Sequence, residues 1–149
     1  HDDFISAYRT RLGSGDTAQE CKYARAWASW EDALAAIGSD GVTGESPADY
    51  ARAFSRLENH YFVNAGFLSE DQQILNRMDR IKDIPGVIVQ GRFDMICPPV
   101  SAHTLAGMWP KARLTMVGRA GHALSEPGIS AELVRAMDRF AAFRTNLGL

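Results

Sequence analysis

The sequence predicts an α/β fold dominated by helix, with helices over residues 1–80 and then strand, helix, strand, helix over 81–149. Three observations carry that reading. Apolar residues recur at spacings of three and four through most of the first eighty positions, the sign of helices with one buried face. After Pro85 two short runs, GVIVQG and ARLTMVG, have the length of strands, the first of the apolar kind that is buried on both faces. A helical stretch, PVSAHTLAGMWP, lies between those runs, so a crossover joins the two strands and they must run parallel.

Each element has its own signature. Phe4, Ala7, Tyr8 and Leu12 form the stripe of a first helix, which breaks at GSGD. A second helix is expected from about Thr17 to Ile37, ending near Gly38, with Cys21, Ala24, Trp27, Ala28 and Trp30 on one side. SDGVTGESPAD is rich in turn residues, and Ser46 with Pro47 marks the start of a third helix through Tyr50, Phe54, Leu57 and Tyr61. Beyond the second strand, ISAELVRAMDRFAAF is amphipathic, with Leu133, Met137, Phe140 and Ala141 inward. A sheet of two parallel strands leaves edges and faces short of cover, so this half reads as the end of a larger sheet. The chain also opens on His1 without an initiator methionine, which points to a segment of something larger.

Composition narrows the function classes. A chain of 149 residues with 46% hydrophobic content can bury a real core. A net charge of −2 and a pI near 6.1 give no basic excess for a phosphate backbone or an anionic membrane, so nucleic acid is not an expected partner. No run approaches the roughly 18 to 20 apolar residues of a membrane span, and the charged start HDDFISAYRT lacks the apolar core of a secretory signal. A cytoplasmic protein is expected. Cys21 and Cys97 match no metal-ligand spacing and read as reduced thiols, and no cofactor is implied.

Chemistry concentrates after the strands, where open parallel sheets gather their functional groups. Asp94, in GRFDMICP, follows the end of the first strand at Gln90 by four residues. His122, in GRAGH, lies just past the second strand. A carboxylate that accepts from one imidazole nitrogen fixes the tautomer and leaves the other nitrogen to act as a general base. Taken singly, an Asp after a strand is commonly a turn or helix cap, and a His after Gly is commonly a loop residue. Their order, strand, Asp, helix, strand, Gly-His, matches the second and third members of a Ser, Asp, His triad as α/β-hydrolases arrange it. His60 and His103 fit no such position and read as structural or exposed. Cys97 has no neighbour in sequence that would lower its pKa and make it a nucleophile.

GRFDMICP, MWPKARL and GRAGHALSEPGISAELVRAMDRF closely resemble the C-terminal part of proline iminopeptidases, the prolyl aminopeptidase branch of the α/β-hydrolases. FISAYRTRL, ARAWASWE and ARAFSRLENHYF resemble the helical cap of the same family, so the resemblance covers nearly the whole chain in order. It implies a cap over residues 1–80, the end of the catalytic domain over 81–149, and a peptide with an N-terminal proline as substrate. It assigns Asp94 as triad acid and His122 as general base, with no metal. Glu31 and Glu58 occupy the positions of the cap carboxylates that hold the amine of the substrate's proline. A secondary ammonium in an apolar pocket needs such a partner. Trp27, Trp30, Tyr61 and Phe62 are placed to wall a proline-sized pocket, although a helix-face core accounts for them equally well. The residues themselves leave Glu58 an ordinary surface pairing with Arg52 or Arg56, and Glu31 a solvated position.

The 149 residues depart from the family in one large respect. They contain no G-x-S-x-G elbow and no Gly-rich oxyanion loop. Ser14, in LGSGD, has a glycine one position too close and no strand before it, and Ser125 shares a loop with His122. The expectation is a chain that carries Asp and His but is inactive alone, with the missing N-terminal half of the catalytic domain as its partner. Two other readings compete: a different α/β-hydrolase of esterase or epoxide hydrolase type, and a non-catalytic module whose open sheet edge associates with a partner or another copy.

Overall fold

The computed structural model describes residues 3–37, 46–69 and 73–146. These form two compact units, one of residues 3–33, 46–69 and 73, the other of residues 34–37 and 74–146. The expected start at His1, the stop at Gly38 and most of the turn-rich loop before Ser46 lie outside the described residues.

The described residues of the first unit are helical. Helix α1 (Phe4–Leu12) starts where the Asp3 carboxylate accepts from the Ile5 amide at 3.0 Å and stops at Gly13. Asp16 starts α2 (Thr17–Ala35) in the same way, accepting from the amides of Ala18 and Gln19. Pro47 precedes α3 (Ala48–Val63), and a short 3-10 turn follows at Ala65–Phe67. Leu12, Ala24, Ala28 and Ala51 make the core, with Tyr8, Tyr23 and Phe54 packed around it.

Small residues at that centre set the buried faces of two helices. Along α3 the buried stripe is Ala51, Ser55 and Asn59, while Tyr50, Leu57 and Tyr61 are exposed. The Ser55 hydroxyl donates to the Ala24 carbonyl at 3.0 Å, so the α2 and α3 backbones approach too closely for a large side chain between them. Trp30 is likewise not on the buried side of α2, being 65% exposed; Glu20, Ala24, Trp27 and Ala28 are. Glu20 is held in that interior by Arg52 at 2.5 Å, by Arg56 at 3.7 Å and by the Gly15 amide.

In the second unit a 3-10 stretch, Ile74–Arg80, leads to β1 (Gly86–Gly91), α4 (Pro99–Met108), β2 (Ala112–Val117) and α5 (Pro127–Asn146). The strands pair in parallel, in register from Gly86 opposite Ala112 to Gly91 opposite Val117. Val87, Ile88 and Val89 are half-buried, not covered on both faces as their apolarity implied, because among the described elements α4 and α5 alone pack against this narrow sheet. The same narrowness corrects the inward face of α5. Ile129 and Ala136 are buried and Leu133 half-buried, whereas Met137, Phe140 and Ala141 are exposed. Met137 and Ala141 lie around the helix from the buried stripe, whereas Phe140 falls on that stripe one turn beyond Ala136. Among the described residues no helix is long and apolar enough to cross a membrane.

Candidate active site

Parallel register sets the two strand ends side by side, and the loops beyond them are joined backbone to backbone. The Arg92 amide donates to the Val117 carbonyl and the Phe93 amide to the Ala120 carbonyl, each at 3.0 Å. Gly91 makes this approach possible. A Cβ there would lie 1.9 Å from the Gly121 carbonyl oxygen, a distance no side chain tolerates.

Asp94 and His122 meet in consequence. Asp94 Oδ1 accepts from the amides of Ile96 at 3.0 Å and Cys97 at 2.7 Å, which closes a turn ahead of α4. Its Oδ2 stands 3.0 Å from His122 Nδ1 and 3.2 Å from the Gln90 side-chain nitrogen. One oxygen thus closes the turn and the other meets the imidazole. An ionised carboxylate has no proton to give, so this bond places the proton on Nδ1 and leaves Nε2 the basic lone pair.

Burial, the largest single influence on Asp94, pushes its carboxyl up. The Cys97 amide, the His122 ring and the Ile96 amide together outweigh it and hold the carboxyl below its ordinary value. The aspartate is therefore ionised wherever the imidazole needs it. The carboxylate is 6% exposed and the imidazole 42%, so the first is shielded and the second accessible. A recess of about 240 Å³ adjoins the pair, walled by Gln90, Asp94, Cys97 and His122 with Leu124 and Leu133 on its apolar side.

Two polar residues at this site escaped the sequence reading. Gln90 is buried, and its amide nitrogen faces the carbonyls of Gly91 and Cys97 as well as Asp94. A lone polar residue closing an otherwise apolar strand was the signal for it, since buried amides require partners. Glu126, also buried, accepts from the amides of Gly121 at 2.7 Å and Ile37 at 3.2 Å. No local pattern marks it, because its partner Ile37 lies 89 positions away.

The other predicted site residues belong to the first unit. Glu58 does not pair with Arg52 or Arg56, which turn to Glu20. It accepts from the Trp27 indole nitrogen at 2.6 Å, and the Trp27 ring lies 5.9 Å from that of Phe62. Glu31, half-buried, follows Trp27 by one turn on the same face of α2. Trp30 and Tyr61 are exposed, Tyr61 to 50%, with its ring against Phe67. His60 and His103 are both exposed. Among the described residues no three His, Cys, Asp or Glu side chains converge as metal ligands would.

No protein-family model matches the chain, but curated relatives do. It is 48% identical over 141 residues to a proline iminopeptidase of Xanthomonas citri, which covers 93% of this chain and 45% of that protein. The chain is a homologue of the proline iminopeptidases. It is 45% identical over 147 residues to a probable proline iminopeptidase of Leptolyngbya boryana, covering 97% of this chain and 46% of the relative. Against a proline iminopeptidase of Arabidopsis thaliana the figures are 44% over 140 residues, 93% of this chain and 37% of the relative. The homologue thus spans less than half the length of these relatives, and the matched stretch takes in nearly all of it.

Proposed function

We propose that this chain supplies the acid and the base of a Ser/Asp/His triad in an aminopeptidase of the α/β-hydrolase type that releases N-terminal proline from peptides. The observation that carries the reading is the bond between Asp94 Oδ2 and His122 Nδ1 at 3.0 Å, in a chain homologous to proline iminopeptidases. The serine and the oxyanion donors belong to polypeptide outside these 149 residues, and the chain by itself does not turn over substrate.

His122 Nε2 takes the proton from the serine hydroxyl as its oxygen attacks the prolyl carbonyl. The imidazolium formed is stabilised by the buried Asp94 carboxylate, which stays ionised. Nε2 then returns the proton to the departing amine, leaving a prolyl ester on the serine. A water activated by the same nitrogen cleaves that ester and releases proline. Neither step needs a metal or an organic cofactor from this chain. In the helical unit, the cap of this reading, Glu31 and Glu58 bind the ammonium of the substrate's proline, with Trp27 and Phe62 as apolar walls and Trp30 and Tyr61 contributing from the rim. The indole bond to Glu58 leaves the second carboxylate oxygen for the substrate's N–H.

The test is a chimera in which this chain replaces the matching segment of the Xanthomonas citri relative. The reading predicts hydrolysis of a chromogenic prolyl amide, its loss on His122→Ala, and little turnover of the same amide once its proline nitrogen is acetylated. A folded chimera that cleaves the acetylated amide or a neutral ester equally well would instead support an esterase-like hydrolase.

A further inference from the structure

We propose that Glu126 is a positioning residue for His122, acting through the backbone of the loop that carries the imidazole. The inference rests on the reading of His122 as general base. Three consecutive amides in that loop are tied to the segment 35–37. The amides of His122 and Ala123 both donate to the Ala35 carbonyl at 2.7 Å. The Gly121 amide donates to Glu126 Oε1, and that same oxygen takes the Ile37 amide. Glu126 therefore bridges the two segments that the Ala35 carbonyl also joins.

This is not the work of a helix cap. A capping side chain accepts from the first amides of its own helix, whereas both donors to Glu126 Oε1 lie outside α5. A charged acceptor shared by two amides is also a stronger tether than a neutral one. Gly121 leaves no slack in the arrangement, since a Cβ there would lie 2.9 Å from the Ala35 carbonyl and 3.1 Å from Glu126 Oε1. With the peptides before and after His122 fixed, the direction of its side chain is fixed, and Nδ1 meets Asp94. Removing the carboxylate strands two amides and frees the Gly121 peptide to turn.

The experiment compares Glu126→Ala, Glu126→Asp and Glu126→Gln in the chimera. A base displaced by about 1 Å loses on the order of 10²-fold in rate, so Glu126→Ala should lower kcat by about that much with KM within about twofold. Glu126→Gln keeps an oxygen for both amides and should stay within about fivefold of the parent. Glu126→Asp, one methylene short, should fall with the alanine variant, and it serves if that variant fails to fold. In an Asp94→Ala background Glu126→Ala should add less than about threefold, because the imidazole has already lost its anchor.

An independent readout uses the 149-residue chain itself. The Asp94 carboxyl, followed by NMR, should titrate higher in Glu126→Asp, as in His122→Ala, and remain at the parent position in Glu126→Gln. Full kcat in Glu126→Asp with an unmoved Asp94 titration would overturn the proposal. An inactive or His122-independent chimera would overturn the triad reading instead, and the titration would still decide whether Glu126 positions the imidazole.

Discussion

Alanine at Gly91 would put a methyl carbon 1.9 Å from the Gly121 carbonyl oxygen and 2.7 Å from that of Ala120, where ordinary contact begins at 3.4 Å. Both obstacles are backbone, so no rotamer relieves them and the two loops must part by about 1.5 Å. The bonds of 3.0 Å between these loops include Phe93 amide to Ala120 carbonyl and His122 to Asp94. Parting the loops takes both beyond hydrogen-bond reach. Overpacking of this kind costs about 1–3 kcal/mol, and each bond lost roughly 0.5–1.5 more, so Gly91→Ala should destabilise the second unit by about 2–6 kcal/mol. With a urea slope of about 2 kcal/mol/M, the midpoint should fall by about 1–3 M. The two units can unfold separately, so the transition is best followed through exchange of the β1 and β2 amides. In the chimera the same substitution should cost on the order of 10²-fold in kcat. An unchanged urea midpoint together with parental activity would refute the view that Gly91 sets the spacing of Asp94 and His122.

Other perturbations probe separate parts of the account. Ser55→Ala removes the buried hydroxyl donor to the Ala24 carbonyl and should lower the stability of the helical unit by about 1 kcal/mol, seen as an earlier urea midpoint in its amide exchange. The Asp94 carboxyl is held below its ordinary 3.8, so the stability it contributes is present above that pH and lost as pH falls through the folded value. Asp94→Asn should therefore flatten the acid limb of the second unit's stability curve, and His122→Ala should move that limb to higher pH. Glu58→Gln in the chimera should raise KM for a prolyl amide with little change in kcat, and leave hydrolysis of an uncharged ester untouched if Glu58 binds the amine.

How far the sequence could be read follows from what each signal reports. The parallel pair and its crossover helix were legible because two short apolar runs flanking a helical stretch permit one connection. The juxtaposition of Asp94 and His122 was legible because loop positions after parallel strands are set by the ladder, whatever the remaining contacts. Along α3 the apolar spacing located the helix but not its buried face, since Tyr50, Leu57 and Tyr61 are exposed. At a close helix crossing the deciding quantity is small volume, and Ala51 and Ser55 have it. Glu20, with Arg52 and Arg56 as its partners, was equally invisible, since a buried ion pair joins residues more than thirty positions apart and leaves no local pattern. Glu126 and Ala35 were hidden for the same reason.

The most direct test of the account is kcat for Asp94→Asn in the chimera with a prolyl amide, measured beside the parent and His122→Ala. Asparagine preserves the shape of the turn but offers no charge and can present an N–H to Nδ1, favouring the wrong tautomer. A fall on the order of 10⁴-fold with KM nearly constant is the predicted result. A kcat within about tenfold of the parent would mean that Asp94 closes a turn and does not orient the base.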